Sequence, residues 1–155
     1  MRALAVVICA VFAGGAAWAD FGDPGGADEC RRQSAKFGWV AVHLDPKDSP
    51  LAAWQVEVVC PEGVKVVGIE GGAHPAFSEP AHHDSKALRE KRERVVLAQY
   101  SLLRGGELPR RETRVATVMV EIPDGIEPRF DVRLVTAGTV GGDAIAANIR
   151  YETGR

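Results

Sequence analysis

Apolar side chains alternate with other side chains in several short segments of this chain, and this two-residue period limits the folds open to it. Residues 113–122 carry one such series, made of Ala116, Val118, Val120 and Ile122. Residues 52–60 carry another, made of Trp54, Val56, Val58 and Cys60. Because successive side chains of a strand point to opposite faces, each series predicts a strand that is buried on one side.

Turn-forming sequences separate these segments at short intervals. Residues of the Gly, Pro, Asp and Ser types cluster at 45–50, 61–63, 105–109, 123–125 and 138–142. Further strand-like segments lie between them, at 39–44, 64–69, 95–102, 130–134 and 145–152. About seven short strands joined by turns are typical of an antiparallel β-sandwich. We therefore expect one all-β sandwich domain, immunoglobulin-like or jelly-roll, over residues 37–153. A mobile lead-in rich in Gly, Pro and Asp is expected at 20–36.

A leader precedes this domain. Residues 1–19 begin with a basic residue, continue with a short apolar run and end with the small residues Ala17 and Ala19, as in a secretory signal peptide. An uncleaved anchor or an N-terminal core helix is the alternative. The run is short for a membrane span, and glycines follow it. We expect cleavage after Ala19, a secreted or periplasmic product, and no membrane span in the rest of the chain.

Two cysteines, Cys30 and Cys60, remain after cleavage. An exported chain with two cysteines has a single intramolecular pairing, and an oxidising compartment preserves it. The sequence thus predicts a Cys30–Cys60 disulfide, worth about 3–4 kcal/mol in the chain-entropy model. Two independent buried thiols are the alternative.

Residues 73–94 break the alternation with mixed charges and almost no apolar face, which allows at most a short exposed helix. The candidate metal ligands are His74, His82, His83 and Asp84. A closed zinc site needs about four ligands in fixed geometry, and adjacent histidines of an extended loop point apart. A solvated polar loop is therefore favoured. The acidic residues Asp20, Asp23 and Asp28 lack the spacing of a calcium loop. No metal or cofactor is predicted.

Three segments resemble the cohesin domain and its relatives among carbohydrate-binding modules. They are Leu51–Glu70, Arg114–Ile122 and Val132–Gly138, the last followed by a Gly141-Gly142-Asp143 turn. The resemblance implies a β-sandwich that recognises a protein partner through one sheet face.

The sequence shows no motif of nucleophilic, nucleotide-dependent or zinc-protease catalysis. Its formal charge of -2 argues against a nucleic-acid partner. We expect no enzyme but a secreted binding module that contacts another secreted protein. One alternative is a carbohydrate-binding module. Its candidate surface aromatics are Phe37, Trp39, Phe77 and Tyr100. The second is a small secreted hydrolase or metal-binding protein that uses residues 74–84.

The alternation also predicts where a partner binds. Three fairly apolar residues lie opposite the core series of residues 113–122, namely Val115, Thr117 and Met119. An exposed apolar patch tends to mark an interaction site. Two other interpretations remain: both faces of this strand are buried, or its register is shifted by one residue.

Overall fold

The computed structural model describes residues 34–90 and 93–155 of the chain. In this part it contains eight strands, one short helix and two 3-10 turns. The strands are β1 Ala35–Asp45, β2 Ala53–Val59, β3 Lys65–Gly71, β4 His82–His83, β5 Arg94–Tyr100, β6 Thr113–Pro123, β7 Asp131–Gly138 and β8 Asn148–Gly154. The helix is α1 Ser85–Glu90, and the 3-10 turns are Pro75–Phe77 and Gly105–Glu107.

The described strands form two four-stranded sheets in which every pairing is antiparallel. The first has the order β3-β6-β1-β8, and the second has the order β4-β5-β2-β7. The predicted all-β antiparallel sandwich is confirmed, whereas jelly-roll topology stays a prediction. The charged insert contributes α1, the short helix expected there. Ala35 and Lys36 belong to β1 rather than to the lead-in predicted at 20–36.

The core combines the inward faces of both sheets. The alternation of β2 is confirmed, because Trp54, Val56 and Val58 are all buried. The Trp54 indole contacts the Phe77 ring edge-to-face, with centroids 6.1 Å apart and planes at 81°. This is a favourable geometry for two aromatic quadrupoles. The 3-10 turn thereby packs against the second sheet.

Three β-bulges interrupt the ladders, and the extra residue of each is a valine. Val115 of β6 has no partner on β1, Val67 of β3 has none on β6, and Val135 of β7 has none on β2. A bulge shifts the alternation of the strand by one residue. Val67 and Val135 are 43% and 54% exposed, whereas Val115 is completely buried in the core.

Val115 therefore does not lie on the outer face with Thr117 and Met119, and that part of the sequence prediction is wrong. On β1, Val42 pairs with Ala116 and the next residue, His43, pairs with Arg114. The bulge between these two pairs turns Val115 to the same side as Ala116, which is also buried.

Cys60 follows β2, is buried, and has no disulfide partner among residues 34–90 and 93–155. Burial, together with the charge of Glu93, raises its pKa to about 11. Its predicted partner Cys30 lies outside the described residues, so the structure gives the disulfide no support and the pairing stays a prediction. The leader at 1–19 also lies outside the described residues. Among the helices that are described, none has the length and apolar character needed to cross a membrane.

Candidate functional site

The outer face of the first sheet carries three rows of side chains that run across the strands. The first row is Gly68, Met119, Trp39 and Gly154. The second row is Glu70, Thr117, Ala41 and Glu152. The third row is Arg114, His43 and Arg150. Small side chains thus occupy the middle of the second row, between larger ones on both sides.

This arrangement forms an open cavity of about 670 Å³, which we call the trough. Ala41 and Thr117 form its floor and are only 3% and 6% exposed, because the flanking side chains rise above them. Trp39 and Met119 form an apolar wall. Glu70 and Glu152 stand on the two edge strands, three strand spacings or about 14 Å apart. The trough therefore crosses the sheet from edge to edge.

The opposite wall is charged and internally paired. The Arg150 guanidinium donates one hydrogen bond to a carboxylate oxygen of Glu112 and another, 2.6 Å long, to Glu152. The His43 ring lies between the same two carboxylates, with Nδ1 3.7 Å from Glu112 Oε1 and Nε2 3.8 Å from Glu152 Oε2. Arg150 thereby pairs with both carboxylates and holds them beside the imidazole, and one net negative charge remains on this group.

His43 is a largely buried base in this wall. Its Nε2 is buried and has no hydrogen-bond partner in the described part of the chain. Burial lowers the pKa of His43 below 6.5, and the nearby Arg150 lowers it further, against the opposing effect of Glu152 and Glu112. The imidazole is therefore neutral at pH 7.

The apolar wall depends on a glycine. Trp39 and Gly154 are cross-strand partners, and the indole lies against the Gly154 backbone. A Cβ added to Gly154 would approach Trp39 Cζ2 to 2.3 Å, closer than real Cβ contacts allow. The absence of a side chain at Gly154 therefore leaves room for the indole on the β8 side.

Of the residues predicted to bind a partner, Thr117 and Met119 line the trough and Val115 does not. The prediction did not include Trp39, His43 and Arg150, which line the same trough. The alternation of β1 contained part of the signal, because Trp39, Ala41 and His43 lie two residues apart. The alignment of β1 with β6 supplied the rest.

The histidines of the insert have separate contacts. His74 Nδ1 accepts a hydrogen bond from the Ala76 amide at the first 3-10 turn, and His83 Nδ1 lies 3.0 Å from the Ala81 carbonyl oxygen. The His82 ring stacks on Tyr100, with centroids 6.2 Å apart. Within residues 34–90 and 93–155, no three His, Cys, Asp or Glu side chains are grouped as a metal site would require. The acidic residues Asp20, Asp23 and Asp28 lie outside these ranges.

Comparison of the chain with protein-family models, with curated proteins and with solved structures finds no match.

Proposed function

We propose that this protein is a secreted, non-catalytic binding module whose trough holds an extended segment of another secreted protein. The observation that carries the proposal is the pair Ala41 and Thr117, which lowers the centre of the sheet face between the larger side chains of the two neighbouring rows. Depressions with apolar walls and a few placed polar groups are the usual form of binding sites. Secretion rests on the leader at 1–19, and a protein partner is also what the cohesin resemblance implies.

The two walls suit a peptide. Trp39 and Met119 offer an apolar surface, and tryptophan is enriched among the residues that dominate binding energy. Met adapts its shape to different ligands. The opposite wall offers the carboxylates of Glu112 and Glu152, whose positions are held by their ion pairs with Arg150. Side chains held in advance lose little entropy when a ligand binds. The trough therefore combines affinity on one wall with orientation on the other.

Carbohydrate binding is the second candidate, and Tyr100 favours it. Its ring is 62% exposed, lies nearly parallel to His82, and borders a cavity of about 520 Å³ on the second sheet. The other proposed sugar-binding rings are less suitable, because Phe77 is fully buried and Trp39 forms the trough wall. Phe37 is 65% exposed but belongs to the first sheet, whereas Tyr100 belongs to the second.

The test is capture of partners from the secreted fraction of the source cells by the wild type and by Met119→Lys. We expect the variant to fold, because Met119 is only half-buried, and to lose a partner that the wild type retains at stoichiometric yield. Val135→Lys is the matched control, because Val135 is an exposed apolar residue of the second sheet. Equal capture by all three proteins would contradict the proposal. Loss of glycan binding in Tyr100→Ala, with Met119→Lys unaffected, would favour the second candidate.

A further inference from the structure

The carboxylates of the trough are ion-paired at one end and unpaired at the other. At the β8 end, Arg150 is paired with both Glu112 and Glu152. At the β3 end, Glu70 is exposed and no ion pair of the described residues includes it. Glu70 is the cross-strand partner of Thr117, so its carboxylate stands at the end of the trough floor. The Glu70 carboxylate is therefore available to pair with a positive charge.

We infer that the partner segment carries a lysine or arginine whose side chain lies along the trough. Its cation pairs with Glu70, and its aliphatic stem packs against Met119 and Trp39. This inference rests on the proposed function and names the chemistry of the partner.

The indole of Trp39 favours a cation over an anion. The face of an aromatic ring is electron-rich and attracts ammonium and guanidinium groups. Lysine and arginine also have long apolar stems that cover apolar surface while the charged head stays in water. Both properties match a trough with an apolar wall and an acidic end.

The positive charge of Arg114 argues against a cationic ligand. Arg114 too is absent from the ion pairs of the described residues, and it lines the trough. It belongs, however, to the row of His43, on the wall opposite Trp39. With His43 neutral, the lining carries the three carboxylates of Glu70, Glu112 and Glu152 against two guanidinium groups. The lining as a whole is therefore acidic.

Trp39 fluorescence provides the test, because the other tryptophan of the described residues, Trp54, is buried in the core. The folded protein is titrated with three pentapeptides, Ac-Ala-Ala-X-Ala-Ala-NH2, in which X is lysine, norleucine or glutamate. We expect the lysine peptide to bind up to about fivefold more tightly than the norleucine peptide, the usual upper value for an exposed ion pair. The glutamate peptide should bind most weakly.

The variants assign the effect to Glu70. Glu70→Gln should abolish the lysine preference, and Glu70→Lys should reverse it in favour of glutamate. Glu121→Gln is the matched control, because Glu121 is on the same sheet but does not line the trough. Equal binding of the three peptides, or an equal effect of Glu70→Gln and Glu121→Gln, would overturn the cation inference. In either case peptide binding itself would still support the proposed function. If none of the three peptides binds, both the cation inference and the proposal that the trough binds a peptide are refuted.

Discussion

Replacement of Val115 by alanine tests the bulge that turns this side chain into the core. Val115 is fully buried, so the change removes two methyl groups from the interior. At about 0.8 kcal/mol for each buried carbon, the transfer term is about 1.6 kcal/mol, and the cavity raises the loss to about 2–3 kcal/mol. A domain of this size has a total stability of about 5–15 kcal/mol. Urea unfolding should show a midpoint lower by about 1–2 M for a slope near 1.5 kcal/mol/M.

Val67→Ala is the control, because it makes the same chemical change at another bulge of the same sheet. Val67 is 43% exposed, so its truncation should cost less than about 1 kcal/mol. Any effect of removing a β-branched residue from a bulge is common to both variants, and their difference isolates burial. Equal losses in the two variants would mean that Val115 faces outward and that β6 alternates without a break.

Three other measurements test the site and the core. Because folding lowers the pKa of His43 below 6.5, the unfolded chain binds more protons than the folded one, and the free energy of unfolding should fall as the pH drops below about 6.5. His43→Gln should remove this part of the pH dependence, as measured by urea unfolding. Gly154→Ala should displace the indole of Trp39 and shift its fluorescence, whereas Gly125→Ala, where a Cβ meets nothing within 4 Å, should leave that emission unchanged despite its positive φ. A mature Cys30→Ser protein, whose one remaining thiol is Cys60, should not react with a thiol reagent at pH 8 until urea exposes Cys60, because a thiol with a pKa of about 11 is almost entirely protonated. In wild-type protein exported from its source and left unreduced, a Cys30–Cys60 disulfide would prevent the reaction even in urea.

The sequence predicted a strand well where the alternation of apolar and polar residues is complete within that strand. β2 is an example, since Trp54, Val56 and Val58 alternate with polar residues and all three are buried. β4 was missed because it is only two residues long and both are exposed histidines. It exists because His82 and His83 pair with β5, and that pairing leaves no apolar pattern in its own sequence.

The bulges could not be predicted in the same way. The local sequence around Val115 reads as an unbroken alternation, and it would do so with or without the extra residue. The position of the bulge is determined by the pairing of β6 with β1, in which Val42 pairs with Ala116 while His43 pairs with Arg114. A register shift is a property of two strands, so a pattern within one strand places Thr117 and Met119 correctly and fails at Val115.

The trough is a property of four strands, which is why the sequence showed only part of it. Trp39 and Met119 are cross-strand partners although eighty residues separate them, and Ala41 becomes a floor only because Thr117 is its neighbour. Each of these residues is ordinary in its own strand. Edge strands β3 and β8 then place a glycine beside the large pair and a glutamate beside the small pair. The depression and its acidic ends therefore arise from the order and register of the sheet, and the same side chains in another register would form a flat surface.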